Sequence, residues 1–236
     1  MSVTLLSQRG GGEIFRSNGV KMIATAGIQT QPNAVAWWPT ETLAVRRFSL
    51  SEYHQLVNMG FFEPNERLEL IYGLLSPMSP IQPRHAAAVT QLTTLLYQQI
   101  GGQCIIRNQS PITLSTTESE PEPDLVLAQL QTDNYASGHP EPDEILLVVE
   151  VSDSTLRYDQ EVKSKLYAEA GIQTYWIVNL QTDQLECYQD PVLLAAGGSG
   201  YQKKQIYRGI ETAHIQAFPD ALIPVNQIMP LRTDVT

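Results

Sequence analysis

Two acids and a lysine set the chemical question in this chain. Asp124 follows Pro123 at the start of the apolar run LVLA, Glu150 stands near the end of ILLVVEV, and Lys163 lies in the helix-patterned segment that follows. A carboxylate at a strand start, a second near the end of a buried strand and a lysine on the next helix are what metal-assisted phosphodiester hydrolysis needs on rigid supports. Mg²⁺ prefers hard oxygens: one or two carboxylates, completed by water and substrate phosphate. Asp124, Glu150 and the backbone carbonyl of Val151 can supply them. The metal would polarise the scissile phosphate and acidify an attacking water, and a lysine would neutralise the charge growing on the phosphorane.

Each residue also has a plainer explanation. A buried Glu150 must be paired, protonated or metal-bound, because an isolated buried charge is costly, and a structural ion pair with Arg or Lys meets that need. On a helical wheel Val162, Leu166, Tyr167 and Ala170 form an apolar stripe, with Lys163 inside it and Lys165 beyond its edge. An i,i+4 pair of Asp159 with Lys163 would contribute only ~0.2–0.5 kcal/mol, a weak reason to put a lysine there. Glu69, in RLELI, shares a strand face with Arg67 and Ile71, opposite Leu68 and Leu70. It is either a site acid or an exposed edge-strand acid. His85 falls on one helix face with Val89, Leu92 and Leu96, in the first turn, where a satisfied core or capping histidine is the simpler reading. His139, between Gly138 and Pro140 in a breaker-rich loop, reads as solvated.

The elements that must carry these groups follow from pattern. Ser49 and Glu52 have capping-box spacing, so a short helix starts at Ser49 and ends near Gly60. RLELI and LLSPM are strands around a Tyr72-Gly73 turn. A helix runs from about Arg84 to Ile100, closed by Gly101-Gly102. QCIIRN, PITL and LVLAQL read as strands, and ILLVVEV as a central strand covered on both faces. A helix follows over about 159–170, ended by Gly171. TYWIVNL is another central strand, LECYQ its hairpin partner, and GGSGYQKKQIY a turn and outer strand. The remainder reads as short strands and closing loops. This order gives an α/β (α+β) domain with a mixed central sheet. The connection from Asp124 to Glu150 lets their strands be neighbours, with both carboxylates at one sheet edge. Residues 1–46 show no sustained period and read as a variable, loosely docked N-terminal extension, with Trp37 and Trp38 covering something apolar; residues 47–236 form the domain.

Composition narrows the classes. With 42% apolar and 17% charged residues, the chain can fold as an ordinary globular protein. Cys104 and Cys187 are far apart with no CxxC, which fits a reducing cytoplasm. No apolar run reaches the ~18 residues of a membrane span, and the N-terminal stretch lacks the continuous apolar core expected of a secretory signal. A net charge of −10 argues against coating nucleic acid through a broad basic surface, though not against a local groove.

The motifs FSLSEY, RLELIYGLL, SPIQPRH, PEPDLVLA, LLVVEVSDSTLRYDQEVKSKLYAEAGI and TYWIVNL, spanning about Phe48 to Leu180, resemble the PD-(D/E)XK restriction-endonuclease-like superfamily. More closely they resemble the bacterial Uma-two-type endonuclease family, formerly a domain of unknown function. The resemblance implies a mixed sheet flanked by helices and Mg²⁺-dependent DNA endonuclease activity, with Mn²⁺ as the alternative metal and DNA as partner. It maps Asp124 to the PD aspartate, Glu150 to the second acid and Lys163 to the lysine of D-x-x-x-K-x-x-x-Y. Glu69 maps to the acid of E-L-I-x-G, as an extra metal or water ligand, and His85 to a site-edge histidine. Ser152 stands where the superfamily's E-x-K lysine would be, so Lys163 must supply the cation. A homodimer would suit double-strand cutting, which needs two sites. A catalytically idle binding module on the same fold is the main rival. A glycosidase built on paired carboxylates is disfavoured by the buried strand context and by the lack of clustered aromatics.

Overall fold

The computed structural model describes residues 14–17, 20–23, 45–63, 65–195 and 197–232. The chain divides into two units, residues 1–44 and 45–236. In the first, β1 (Ile14–Ser17) and β2 (Val20–Ile23) pair antiparallel. The sequence reads as aperiodic there because four-residue runs are too short to declare a period. Trp37 and Trp38 lie outside the described residues.

The second unit is built on a six-stranded sheet. Its strands are β5 (Ile105–Asn108), β6 (Leu125–Ala128), β7 (Ile145–Ser152), β8 (Thr174–Asn179), β9 (Gln184–Leu193) and β10 (Ser199–Arg208), in spatial order β10-β9-β8-β7-β6-β5. Only β7 and β8 pair parallel, which makes the sheet mixed, and a helical segment connects them. Both faces are covered, as the near-continuous apolar runs of β7 and β8 require. On one face α2 (Pro83–Ile100) lays Ala88, Val89, Leu92, Leu95, Leu96 and Ile100 against Leu125, Leu127, Leu147, Val149 and Trp176. The hairpin β11 (Thr212–Ile215) and β12 (Phe218–Pro224) and the short α5 (Val225–Ile228) complete that layer. On the other face Leu166 and Tyr167 pack with Ile112, Leu114, Val126, Val148, Tyr175 and Ile177. PITL is not a strand: it makes a single bridge, Leu114 to Ser119, because Pro111 and the following polar tract divert it into the cover of β6.

Three local features place the candidate residues. α1 (Leu50–Asn58) starts at Ser49 with both capping-box bonds formed, and Gly60 at φ 66° ends it. Next, β3 (Leu68–Ile71) and β4 (Leu74–Pro77) form a hairpin whose turn residues Tyr72 and Gly73 both have positive φ. A Cβ on Gly73 would lie 2.8 Å from the Phe48 carbonyl oxygen, so glycine is required there. The hairpin is tied to the approach of β6 by reciprocal bonds between Leu70 and Glu120, which fixes Glu69 relative to Asp124. Finally, the helix between β7 and β8 has three consecutive parts: α3 (Leu156–Tyr158), a π-helical turn (Asp159–Lys163) and α4 (Ser164–Glu169). The sequence places the helix start at Asp159 and predicts no π-turn, because one inserted residue leaves the apolar period of 162–170 intact.

Candidate active site

Asp124 and Glu150 come together through strand pairing. β6 and β7 are antiparallel with Leu125 opposite Val149, and continuing that register sets Asp124 opposite Glu150 and Pro123 opposite Val151. Asp124 Oδ2 accepts from the Val151 amide at 2.8 Å and lies 3.0 Å from His85 Nε2. His85 reaches it because Pro83 starts α2, and Arg84 binds the Leu180 carbonyl and Asp183 beyond β8. The sequence places His85 at the site edge; the structure sets it directly on the first acid.

Glu150 is buried, at 4% exposure. Its Oε1 receives Lys163 Nζ at 3.0 Å and the Tyr167 hydroxyl at 2.7 Å. Lys163 Nζ also lies 3.0 Å from Glu69 Oε2. The other Glu69 oxygen accepts from the Tyr158 hydroxyl at 3.4 Å. Glu69 is therefore not an exposed edge-strand acid: it is buried at 4% exposure, and its Oε2, although close to the Lys163 ammonium, makes no hydrogen bond. The β3 alternation fixes its face, and the helix packed above makes that face interior. Lys163 is buried while Lys165 is exposed, as the wheel predicts. The Asp159–Lys163 pair is replaced by other bonds: Asp159 Oδ2 accepts the Ser152 and Thr155 hydroxyls, each at 2.7 Å. His139 is not fully solvated; it is half-buried with Nδ1 3.4 Å from Arg107.

The electrostatics are those of crowded acids around one ammonium. Burial raises the Glu150 carboxyl to about 8, with Asp159, Asp124 and Glu69 adding to the rise and Lys163 opposing it. Burial likewise pushes Asp159 up to about 6. Burial by itself would lower Lys163, but the Glu150, Glu69 and Asp159 carboxylates outweigh it and hold the ammonium well above its ordinary value.

The donor set fits a hard divalent cation. Among the described residues no three His, Cys, Asp or Glu side chains form a ready-made centre. Mg²⁺, however, needs only one or two carboxylates and takes the rest from carbonyls, water and phosphate. With Asp124 Oδ2 and Glu150 Oε1 engaged, Asp124 Oδ1 and Glu150 Oε2 have no protein donor among the described residues. In a strand the N–H and C=O of one residue point to the same side, so the Val151 carbonyl shares the Asp124 edge. Pro123, opposite it, has no N–H to offer. The neighbouring acids Asp159, Asp124 and Glu69, which add to the effect of burial on Glu150, give such an ion negative charge to neutralise.

Sequence reasoning did not assign Tyr158 to this region. It placed Tyr167 in the apolar stripe and at the tyrosine of the D-x-x-x-K-x-x-x-Y motif, but not its hydroxyl on Glu150; a buried tyrosine O–H needs an acceptor. Sequence reasoning also overlooked a further buried acid, Glu186 on β9, 1% exposed. Glu186 receives Gln160, Asn179, Tyr188 and Lys204. Burial would raise its carboxyl, yet the hydrogen bonds from these groups bring it down to about 2. A depressed carboxylate contributes stability that is present above its unfolded pKa and lost as pH falls through the folded one. Glu186→Gln should therefore lower the urea midpoint at pH 7, with the gap to wild type narrowing from about pH 4.5 down to about pH 2. Urea titrations at several pH values across that range check it.

No curated protein matches this chain. Among solved structures, "a putative nuclease belonging to DUF820" from Anabaena variabilis ATCC 29413 has a similar fold, with TM-score 0.59 and 11% identity, covering 77% of this chain and 97% of that one. A family model described as "Uma2: Putative restriction endonuclease" matches residues 50–226, a span that includes all five candidate residues and the tyrosines Tyr158 and Tyr167 beside them. The chain belongs to the Uma2 family.

Proposed function

We propose that this protein is a Mg²⁺-dependent endonuclease that hydrolyses DNA phosphodiester bonds, with Mn²⁺ able to substitute. The observation that carries the reading is the convergence of Asp124, Glu150 and Lys163: two acids set opposite each other by the β6–β7 register, and the lysine 3.0 Å from the second. Family membership and the nuclease named among its structural neighbours support it. Asp124, Glu150 and the Val151 carbonyl would hold the metal, which when bound polarises the phosphate and lowers the pKa of an attacking water.

The remaining chemistry belongs to the chain's own groups. Lys163, buried at 5% exposure, keeps a fixed positive charge beside the position where phosphorane charge develops. Glu69 anchors that ammonium at 3.0 Å, the same distance as Glu150. His85 and the Val151 amide fix the Asp124 rotamer, and Tyr167 does the same for Glu150. With Oε1 occupied, Glu150 presents its other oxygen. The net charge of −10 and the burial of Lys163 favour the rival reading, an idle binding module, and the same experiment separates the two.

Mg²⁺ or Mn²⁺ titrated calorimetrically should bind wild type and lose on the order of tenfold or more in affinity in Asp124→Asn. Supercoiled plasmid should be cut by wild type only with metal present. Equal binding to both proteins, or to neither, would show the metal assignment wrong. Binding without cutting would establish the idle module.

A further inference from the structure

The π-turn that delivers Lys163 is held at both ends. At its first residue Asp159 takes the Ser152 and Thr155 hydroxyls, and its carbonyl accepts the Tyr175 hydroxyl at 3.2 Å. At its second residue Gln160 Nε2 donates to both oxygens of Glu186, at 2.8 and 3.0 Å. At its last residue Lys163 reaches Glu150 and Glu69. Glu150, Ile177 and Glu186 lie in one row of the sheet, partner to partner across β7, β8 and β9, so the two buried acids stand on the same face on either side of Ile177. Neighbouring strands are about 4.8 Å apart, which puts the two acid-bearing backbones about 10 Å apart. One helical turn bridges that gap with a matched donor for each acid: Lys163 for Glu150 and Gln160 for Glu186.

π-turns are rare in helices and occur frequently at functional sites. The inserted residue changes the phase between α3 and α4, so the direction of Lys163 depends on what keeps the turn from relaxing to an α-helix. Glu186 has no capacity left for a ligand. Asn179, Tyr188 and Lys204 occupy its oxygens along with Gln160, and those bonds keep it ionised. A saturated, buried, permanently charged group of this kind serves as an anchor point rather than as a base or metal ligand.

We propose that Gln160 and Glu186 are positioning residues for Lys163: their contact holds the π-turn in the register that sets the ammonium between Glu150 and Glu69. The proposal rests on the reading of Lys163 as the cation of the site, but its test does not depend on cleavage. In metal-free, full-length protein the carboxylate-bound Lys163 ammonium should be visible by ¹⁵N NMR with slow proton exchange. Gln160→Ala should speed that exchange on the order of tenfold, and should lower the kcat for plasmid cleavage by about 10–100-fold with little change in KM. Gln160→Lys, which can still donate to Glu186, should restore both. Tyr188→Phe removes a different donor from Glu186 and should leave Lys163 exchange unchanged. If Gln160→Ala is unfolded, Gln160→Asn, one methylene too short, carries the same test.

Unchanged Lys163 exchange in the folded Gln160 variant overturns the proposal. Equal acceleration in Tyr188→Phe also overturns it, because that reports general loosening. Wild type that cuts no DNA removes the nuclease reading alone; the exchange measurements still decide the positioning.

Discussion

Lys163→Met is expected to abolish metal-dependent DNA cleavage and to destabilise the fold together, while Lys165→Ala does neither. The methionine keeps an apolar stem of similar length and removes the ammonium, with its charge and its donors. Glu150 and Glu69 would then face each other's field at 4% exposure each with no cation between them. Removing one partner of a buried ion pair costs about 3–5 kcal/mol, because the surviving charge is left uncompensated. The catalytic loss has a separate origin: deleting one fixed group that stabilises transition-state charge lowers kcat by about 10²–10³. Chemical denaturation and single-turnover plasmid cleavage measure the two effects independently. If Lys163→Met still cuts and Lys165→Ala does not, the wrong lysine has been assigned. Screening stability in MgCl₂ adds a further sign: divalent metal should recover part of the loss, since it supplies positive charge to Glu150.

How far the site was legible depended on what kind of information each residue carries. Asp124 and Glu150 were readable because a lone acid at the margin of an otherwise apolar strand has few explanations, and because the two strands were short enough in connection to be neighbours. Lys163 was readable because it interrupts an apolar stripe that Lys165 avoids. The burial of Glu69 was not readable. Period-2 alternation gives a side chain's face, but only the packing of Tyr158 and α3 makes that face interior. The π-turn was invisible for a similar reason: the apolar period on its C-terminal side is that of any helix, and the inserted residue is held by long-range bonds from Ser152, Tyr175 and Glu186. Glu186 was passed over because LECYQ reads as an ordinary hairpin strand; its donors come from β8, β9, β10 and the π-turn. In each miss the missing information was tertiary, not a weak local signal.

Glu150→Gln is expected to separate stability from function in the opposite sense to Lys163→Met. Burial, reinforced by Asp159, Asp124 and Glu69 and opposed by Lys163, raises this carboxyl from 4.5 to about 8. A carboxyl raised on folding stabilises the native state while protonated. That contribution is fully present below the unfolded pKa and is lost as pH rises through the folded one. Metal-free wild type should therefore lose melting temperature between about pH 5 and about pH 8.5 on account of this group. Glutamine imitates the protonated form at every pH, and its amide can still accept from Tyr167 and Lys163, so the variant should show a flatter profile and melt no lower than wild type at the alkaline end. Function should go the other way. An amide oxygen is a poor substitute for a carboxylate toward Mg²⁺, so the metal-induced rise in melting temperature should vanish. For a site at 100 times its Kd that rise corresponds to about 2.7 kcal/mol in wild type. Cleavage should fall with it. Melts in chelator and in MgCl₂ across the pH range measure both halves at once. A variant that is stabilised by Mg²⁺ as much as wild type would show that Glu150 is only Lys163's structural partner, and a variant much less stable than wild type at pH 8 would show that the carboxylate is needed charged to hold the lysine. The predicted pattern, stable without metal and indifferent to it, is what a buried acid kept for an ion rather than for the fold should give.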